Sequence, residues 1–401
     1  MTKECFTTLS TELLHQIFDY CDTETIILSV RYVCRRFYAV VNTYNRLDLD
    51  VNSCSKADNE LILRLIQPEN ITSFKIAVWY EEQWRIPQLI SQIDIQRFPR
   101  LRTLTLKGIE GSALEHLLQK VTSESLDYVY IHFFDFQYDK WSTILSLAVT
   151  HLNPRKLYLN NDSSSNYIMK PTLSSVNCQL KHLVLAKCDY TACLVILQQC
   201  PHLETFEMGA CKTEDNYETA TSFADASFVS SLKNLTISEC SMSPESMVSL
   251  LSTTSQLVRL ELISRRATLD QLFDGFYWKE IIQKKLRSLS KFDFIFSCDL
   301  DETCHFADIH QLISTFQSDF WIHEKCWLIT CTFMIHSCNV FFHTCDTGRD
   351  GFEHSGRCVF SPVDGIWRFA ERLNHETTNT VSIEVGRKRQ ANFVTFKVRK
   401  N

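Results

Sequence analysis

The chain has 401 residues, which is enough for two or three domains or for one long repeat structure. Its 41 lysines and arginines against 47 aspartates and glutamates give a net charge of −6, without any large basic block. This balance disfavours nucleic acid as the main partner. Without a secretory signal, the 17 cysteines are expected to be reduced thiols that behave as small apolar side chains.

Neither the N-terminus nor the most apolar window has the pattern of a membrane protein. Lys3 and Glu4 lead into an amphipathic segment rather than an apolar run, so no signal peptide is expected. The window 327–342 is too short and too polar to span a bilayer. We therefore expect no membrane partner and a cytoplasmic or nuclear protein.

Residues 9–47 have the pattern of three short helices. Ser10 is placed to cap the first helix, a short helix is expected through 26–28, and a third carries an apolar face between 33 and 44. A domain of about 40 residues cannot bury enough surface to be stable alone. Its apolar faces are therefore expected to be completed by a partner or by the rest of the chain.

This segment resembles the F-box motif. The matching stretches are Leu9 with Glu12, Leu13 and Leu14, then Ile17-Phe18, Ile26-Ile27-Leu28 and Val33-Cys34-Arg35-Arg36-Phe37. The segment departs from the family at Ser10, where proline is preferred, at Cys21, where leucine is usual, and at Phe37, which replaces tryptophan. The resemblance implies docking on a small Skp-type adaptor and, through it, on a cullin.

The resemblance also implies which side chains contact the adaptor. They are Leu9, Leu13, Leu14, Ile17, Phe18, Leu28, Val33, Cys34, Phe37 and Tyr38. Some of these residues must form the core of the three helices instead. The sequence does not separate the two sets.

From residue 71 the chain repeats a loose L-x-x-L-x-L unit followed by an amphipathic stretch. Its copies start at 71, 101, 126, 154, 180, 203, 232, 257 and 289, and the intervals of 23 to 32 residues bracket the leucine-rich-repeat period. The pattern predicts an α/β solenoid with parallel strands on the concave side and helices on the convex side. An ordinary α/β domain with a parallel sheet is the alternative.

Three repeats carry a cysteine three residues after the apolar triplet, at Cys188, Cys211 and Cys240. This spacing resembles the cysteine-containing class of leucine-rich repeat. A small apolar thiol fits the tight bend where a strand turns into a helix. We therefore expect these cysteines to be structural and buried.

Side chains between the leucines should point away from the core, because strand residues alternate faces. The candidates for target binding on this concave face are Arg102, Tyr128, Tyr130, His182, Glu204, Glu207 and Arg259. Aromatic residues and arginines are enriched at interfaces. The simpler interpretation is that most of these positions are only solvated.

After residue 297 the period fails and the pattern predicts strands. They are expected at 320–322, 327–335 and 340–344, with a hairpin that pairs Val381-Ile383-Val385 with Val394-Phe396-Val398. Strands of this kind could pair antiparallel and cover the open end of the solenoid.

The same region concentrates cysteine and histidine, which raises the possibility of a zinc site. The residues are Cys326, Cys331, Cys338, Cys345, Cys358, His323, His336, His343 and His354. Their spacing lacks the close pairs that zinc modules use, so packed thiols and imidazoles are preferred and no metal is expected. No catalytic motif is present either, and we expect neither a cofactor nor an enzymatic activity.

Together these features predict an F-box at 1–48, a leucine-rich-repeat solenoid at 49–300 and a β-rich capping region at 301–401. Such a chain resembles the substrate-recognition subunits of SCF-type ubiquitin ligases, which hold a target protein for ubiquitin transfer. The alternatives are a leucine-rich-repeat interaction scaffold without a ligase link and, more distantly, a zinc-dependent enzyme.

Overall fold

A computed structural model of the chain describes residues 8–51, 56–78, 93–122, 126–134, 140–161, 178–212, 230–299, 306–327, 329–334, 339–344, 357–361, 366–370, 381–382 and 397–398. The chain forms two compact units, Met1–Glu207 and Met208–Asn401. This division falls inside the segment expected to be one solenoid. The domain boundaries expected at 48/49 and 300/301 stay predictions.

The first unit begins with two helices, α1 (Thr11–Phe18) and α2 (Arg35–Thr43), linked by short helical turns at Thr25–Ser29 and Val30–Tyr32. These elements confirm the helices expected in this segment. Ser10 caps α1 as expected, because its hydroxyl accepts a 3.3 Å hydrogen bond from the amide of Leu13. The sulfur of Cys34 caps α2 in the same way, at 3.5 Å from the amide nitrogen of Phe37.

A parallel sheet follows in the first unit, with its strands paired in chain order. They are β1 (Leu47–Asp50), β2 (Ile71–Ala77), β3 (Thr103–Glu110), β4 (Tyr128–Phe134), β5 (Lys156–Asn161) and β6 (His182–Asp189). The helices between these strands are α3 (Lys56–Leu65), α4 (Gly111–Lys120) and α5 (Lys140–Ser146), and α6 (Tyr190–Gln199) follows β6. Strand β7 (Thr205–Lys212) runs through the boundary of the two units.

The leucines of the repeat form continuous buried rows across this sheet. In one row the register aligns Phe74, Leu104, Val129, Leu157 and Leu183, which are all completely buried. Two residues further along each strand, a second buried row contains Ile76, Leu106, Ile131, Leu159 and Leu185. The period-two alternation of strand side chains thus places one face in the core, as the sequence predicts.

The second unit has parallel strands that continue into antiparallel ones. Strands β8 (Asn234–Ser241), β9 (Arg259–Arg266) and β10 (Lys291–Asp299) are parallel, and helices α7 (Pro244–Thr253), α8 (Gly275–Lys285) and α9 (Phe306–Thr315) belong to the same unit. Strand β12 (Asn339–Thr344) pairs antiparallel with β10 and with β11 (Ile329–Met334). Strands β13 (Arg357–Ser361) and β14 (Ile366–Ala370) extend the sheet beyond β11.

The antiparallel pairing confirms that the C-terminal strands cover the last parallel strand of this unit. Val381–Ser382 (β15) also pairs antiparallel with Lys397–Val398 (β16), and the rest of the predicted hairpin lies outside the described residues. The strand predicted at 320–322 is wrong, because Phe320–Glu324 is a helical turn. Phe320 and Trp321 are both buried although they are adjacent, which a one-sided strand does not allow.

The three repeat cysteines are buried, as expected for structural thiols. Cys188, Cys211 and Cys240 all lie in the last third of their strands and expose 5% or less of their surface. In the described parts of the chain, no helix is both long and apolar enough to cross a membrane.

Candidate functional site

The open face of the first unit's sheet carries a row of stacked rings. Tyr128 and Tyr130 on β4 lie beside Tyr158 on β5, at ring-centroid distances of 5.2 and 6.2 Å. Tyr158 in turn stacks on His182 of β6 at 5.3 Å, with an interplanar angle of 24°. We call these four residues the tyrosine ladder.

The ladder exists because the rings occupy the strand positions between the buried leucines. The register sets Tyr130 directly opposite Tyr158, and parallel strands repeat at a spacing that suits ring stacking. All four rings are half-buried, so one surface of the ladder contacts water. Partial burial raises the pKa of Tyr128 and Tyr158, and their phenols are therefore neutral at physiological pH.

A charged residue stands at each end of the ladder. At one end, the Lys107 ammonium lies 4.8 Å from the centroid of Tyr130, a cation–π contact. At the other end, Oε1 of Glu207 lies 3.5 Å from Nε2 of His182. Burial lowers the pKa of His182, although Glu207 opposes this effect, so the imidazole is neutral at pH 7 and does not neutralise the carboxylate charge of Glu207.

The structure therefore brings together four of the residues proposed for target binding: Tyr128, Tyr130, His182 and Glu207. The other members of that set lie elsewhere. Arg102 is exposed just before β3, and Glu204 forms a 3.1 Å ion pair with Lys181. Arg259 belongs to the second unit, where its guanidinium bridges Glu261 and Asp293 at 3.1 and 3.3 Å.

Sequence reasoning missed Tyr158, which contacts three other members of the ladder. Its repeat copy begins with Pro154 instead of leucine. Because this match to the repeat is weak, the outward-facing positions of the strand were not included among the candidates. The available signal was the position of Tyr158 between Leu157 and Leu159, which is the position of Tyr130 between Val129 and Ile131 in the preceding copy.

For the zinc hypothesis, several expected ligands, His336, Cys338, Cys345 and His354, lie outside the described residues. Within the described ranges, no group of three or more His, Cys, Asp or Glu residues could hold a metal ion. Cys331 is completely buried in β11, and this burial raises the pKa of its thiol well above the usual value. The thiol therefore behaves as an apolar core group.

A second candidate surface lies on the N-terminal helices. Six of the nine large apolar side chains exposed in the described residues belong to this short segment: Leu13, Ile17, Tyr20, Tyr32, Val33 and Tyr38. Val33 is 65% exposed, and Leu13 is 47% exposed. A concentration of exposed apolar side chains on so few residues is typical of a protein-binding site.

The structure separates core from surface among the residues that the sequence assigned to adaptor contact. Leu14 and Phe18 are only 1% and 3% exposed, so they belong to the core of the helices, as was expected for some of the set. Which residues contact an adaptor stays a prediction. On the outside lie Leu13, Ile17, Val33 and Tyr38, whereas Leu9, Leu28, Cys34 and Phe37 are half-buried. The reason is helical periodicity, which turns Leu14 and Phe18 together towards α2.

Polar contacts hold this surface in position. The Arg36 guanidinium donates a hydrogen bond to the carbonyl of Leu9, which ties the start of α1 to α2. The Arg31 guanidinium lies 4.8 Å from the centroid of the Tyr38 ring and donates to the carbonyl of Leu65 at 3.0 Å. Tyr44 donates a 2.8 Å hydrogen bond to Asp19. These contacts therefore fix the positions of the helices that carry the exposed apolar side chains.

Comparison with known proteins identifies the same N-terminal segment. Residues 6–49 match the F-box domain family. A search of the curated proteins gives no match to the chain. The N-terminal segment that presents the exposed apolar surface is therefore an F-box domain, which implies binding to a Skp-type adaptor, and through it to a cullin, in the context of a ubiquitin ligase.

Proposed function

We propose that this chain is the substrate-recognition subunit of an SCF-type ubiquitin ligase. The F-box binds the Skp-type adaptor, and the strands that follow the F-box in the chain hold a target protein. The observation that carries the proposal is the number of apolar side chains exposed on the short F-box segment, among them Leu13, Ile17 and Val33. Association with an adaptor would remove this surface from water, which is the main favourable term in most protein association.

The body of the chain is interpreted as a leucine-rich-repeat solenoid. The repeat interval of 23 to 32 residues, the in-register buried rows and the buried cysteines Cys188, Cys211 and Cys240 support this interpretation. Parallel strands that pair in chain order are the arrangement that stacked repeats produce. The target-binding side chains would then lie on the open faces of the strands.

In this role the chain does no chemistry itself and needs no cofactor. It brings the lysines of a bound target close to the conjugating enzyme and so raises their effective concentration. A cytoplasmic or nuclear location fits this role. The runner-up role, a repeat scaffold without a ligase link, would leave the exposed F-box side chains without an adaptor.

Affinity capture of the full chain from cells tests the proposal. Leu13→Asp removes an apolar contact at a position in the first turn of α1 where an acidic side chain is compatible with the helix dipole. Leu61→Asp is the matched control, because Leu61 is 45% exposed on α3, outside the F-box match. We expect the wild-type chain and Leu61→Asp to capture adaptor and cullin, and Leu13→Asp to lose both. Equal capture by the two variants, or none by the wild type, would contradict the proposal.

A further inference from the structure

The tyrosine ladder of the first unit combines stacked aromatic rings with a carboxylate at one end. At the Tyr130 end, the protein's own Lys107 already occupies a ring face at 4.8 Å. At the His182 end, the Glu207 carboxylate has a neutral imidazole as its neighbour. The two ends are therefore chemically different, because a cation lies against the ring at the first end and a carboxylate lies beside the ring at the second.

We propose that the His182 end of the ladder binds an arginine side chain of the target protein. This inference rests on the proposed function and names the chemistry by which the target is recognised. A planar guanidinium would pair with Glu207 and stack on His182, the last ring of the ladder, because Tyr158 already stacks between Tyr130 and His182. Arginine suits such a site because it stacks on aromatic faces and presents paired N–H donors to a carboxylate.

Three properties of the described residues support this occupant. The side chain of Glu207 is 43% exposed, so a partner can reach its carboxylate. Nε2 of His182 lies 3.5 Å from the Glu207 carboxylate but forms no hydrogen bond to any described residue, so the imidazole does not occupy that carboxylate. The charge of Glu207 contributes to the raised pKa of Tyr158, which places the carboxylate near that ring.

The surrounding charges limit how many cations can bind. Glu204 already pairs with Lys181 at 3.1 Å, so it does not compete for the guanidinium. Lys156 lies opposite His182 in the register, is exposed and opposes a second cation. A single arginine is therefore the expected occupant, and removing the charge of Lys156 should strengthen its binding.

The test uses the purified full chain and a labelled Gly/Ser peptide with one central arginine. Its counterparts carry citrulline, which keeps the planar shape without the charge, or glutamate. Fluorescence anisotropy should show that the arginine peptide binds best. Glu207→Gln and His182→Ala should each weaken its binding about tenfold. His182→Phe, which keeps an aromatic ring, should weaken it far less, and Lys156→Gln should strengthen it.

Glu69→Gln serves as the control, because this exposed acid lies in the same unit on the turn before β2. Its arginine binding should equal that of the wild type. Binding that is unchanged by Glu207→Gln, or that favours citrulline or glutamate, would overturn the proposal, as would stronger binding of oligouridine to the same ladder residues. Adaptor capture by the same protein sample separates the two proposals, because a chain that captures the adaptor but ignores arginine contradicts only the arginine site.

Discussion

The amide of Gly275 donates a 2.6 Å hydrogen bond to the hydroxyl of Thr315, although the two residues are forty positions apart. This contact joins the start of α8 to the end of α9. The approach is so close that a Cβ at Gly275 would lie 2.7 Å from the carbonyl carbon of Thr315. The carbonyl of Gly275 also accepts a hydrogen bond from the indole of Trp321 at 3.2 Å.

Gly275→Ala is therefore expected to destabilise the second unit by about 1–3 kcal/mol, because the atoms that it would strike belong to backbone and cannot rotate away. Chemical denaturation of the full chain, followed by tryptophan fluorescence, measures the change. Phe276→Ala is the control, since that side chain is 55% exposed and its loss should cost less than about 0.5 kcal/mol. An equal or smaller effect of Gly275→Ala would show that α8 and α9 do not approach in this way.

The cap of α1 gives a second prediction. Replacing Ser10 by alanine removes the acceptor for the Leu13 amide and should destabilise the helix by about 1 kcal/mol. Hydrogen exchange of the α1 amides reports this change locally. Ser10→Asp should restore protection, because aspartate is an equally good N-cap. If both variants exchange alike, the hydroxyl does not cap the helix.

The cysteines differ in their expected reactivity. Cys240 is buried, and burial raises its pKa to about 12, so little of the reactive thiolate form exists at neutral pH. Cys326 is exposed. Alkylation of the native chain, mapped by mass spectrometry, should label Cys326 quickly and Cys240 only after denaturation. Labelling of Cys240 as fast as Cys326 in the folded protein would show that Cys240 is not a core residue.

Tyr277 gives a prediction about alkaline pH. Its hydroxyl donates a 3.0 Å hydrogen bond to the carbonyl of Pro244, and burial raises its pKa to about 12. Since the unfolded pKa is about 10, the contribution of Tyr277 is fully present below that pH and is lost as the pH rises towards 12. Tyr277→Phe should lower the free energy of unfolding by about 1 kcal/mol at neutral pH and flatten its decline above pH 10. Urea titrations across this range measure both effects, and an unchanged slope would contradict the assignment.

The alternating burial of the repeat strands could be predicted from sequence because it depends on a period of two. Leu104, Leu157 and Leu183 lie in one buried row for this reason. The division of the F-box into core and surface could not be predicted. Leu13 and Leu14 have the same chemistry, and only the packing of α1 decides which one is buried. The sequence predicts three residues of the tyrosine ladder, Tyr128, Tyr130 and His182. It does not predict Tyr158, because the repeat copy that contains it begins with Pro154 instead of leucine.

The helical turn at 320–324 could not be predicted from the sequence pattern either. A short run of Phe320, Trp321 and Ile322 fits a strand and a buried helical turn equally well. The burial of two adjacent aromatic residues decides between them, and this depends on contacts with distant residues. The Trp321 ring, for example, packs against Phe316 at a centroid distance of 5.0 Å.

The central claim is that the exposed apolar face of the F-box binds a Skp-type adaptor. Isothermal titration calorimetry of the purified full chain against the purified adaptor tests it most directly. We expect binding with a negative heat-capacity change, weakened at least about tenfold by Leu13→Asp and unaffected by Val258→Asp, which alters an exposed apolar residue of the second unit. Absence of binding by the wild-type chain, or an equal affinity of the adaptor for the two variants, would contradict the claim.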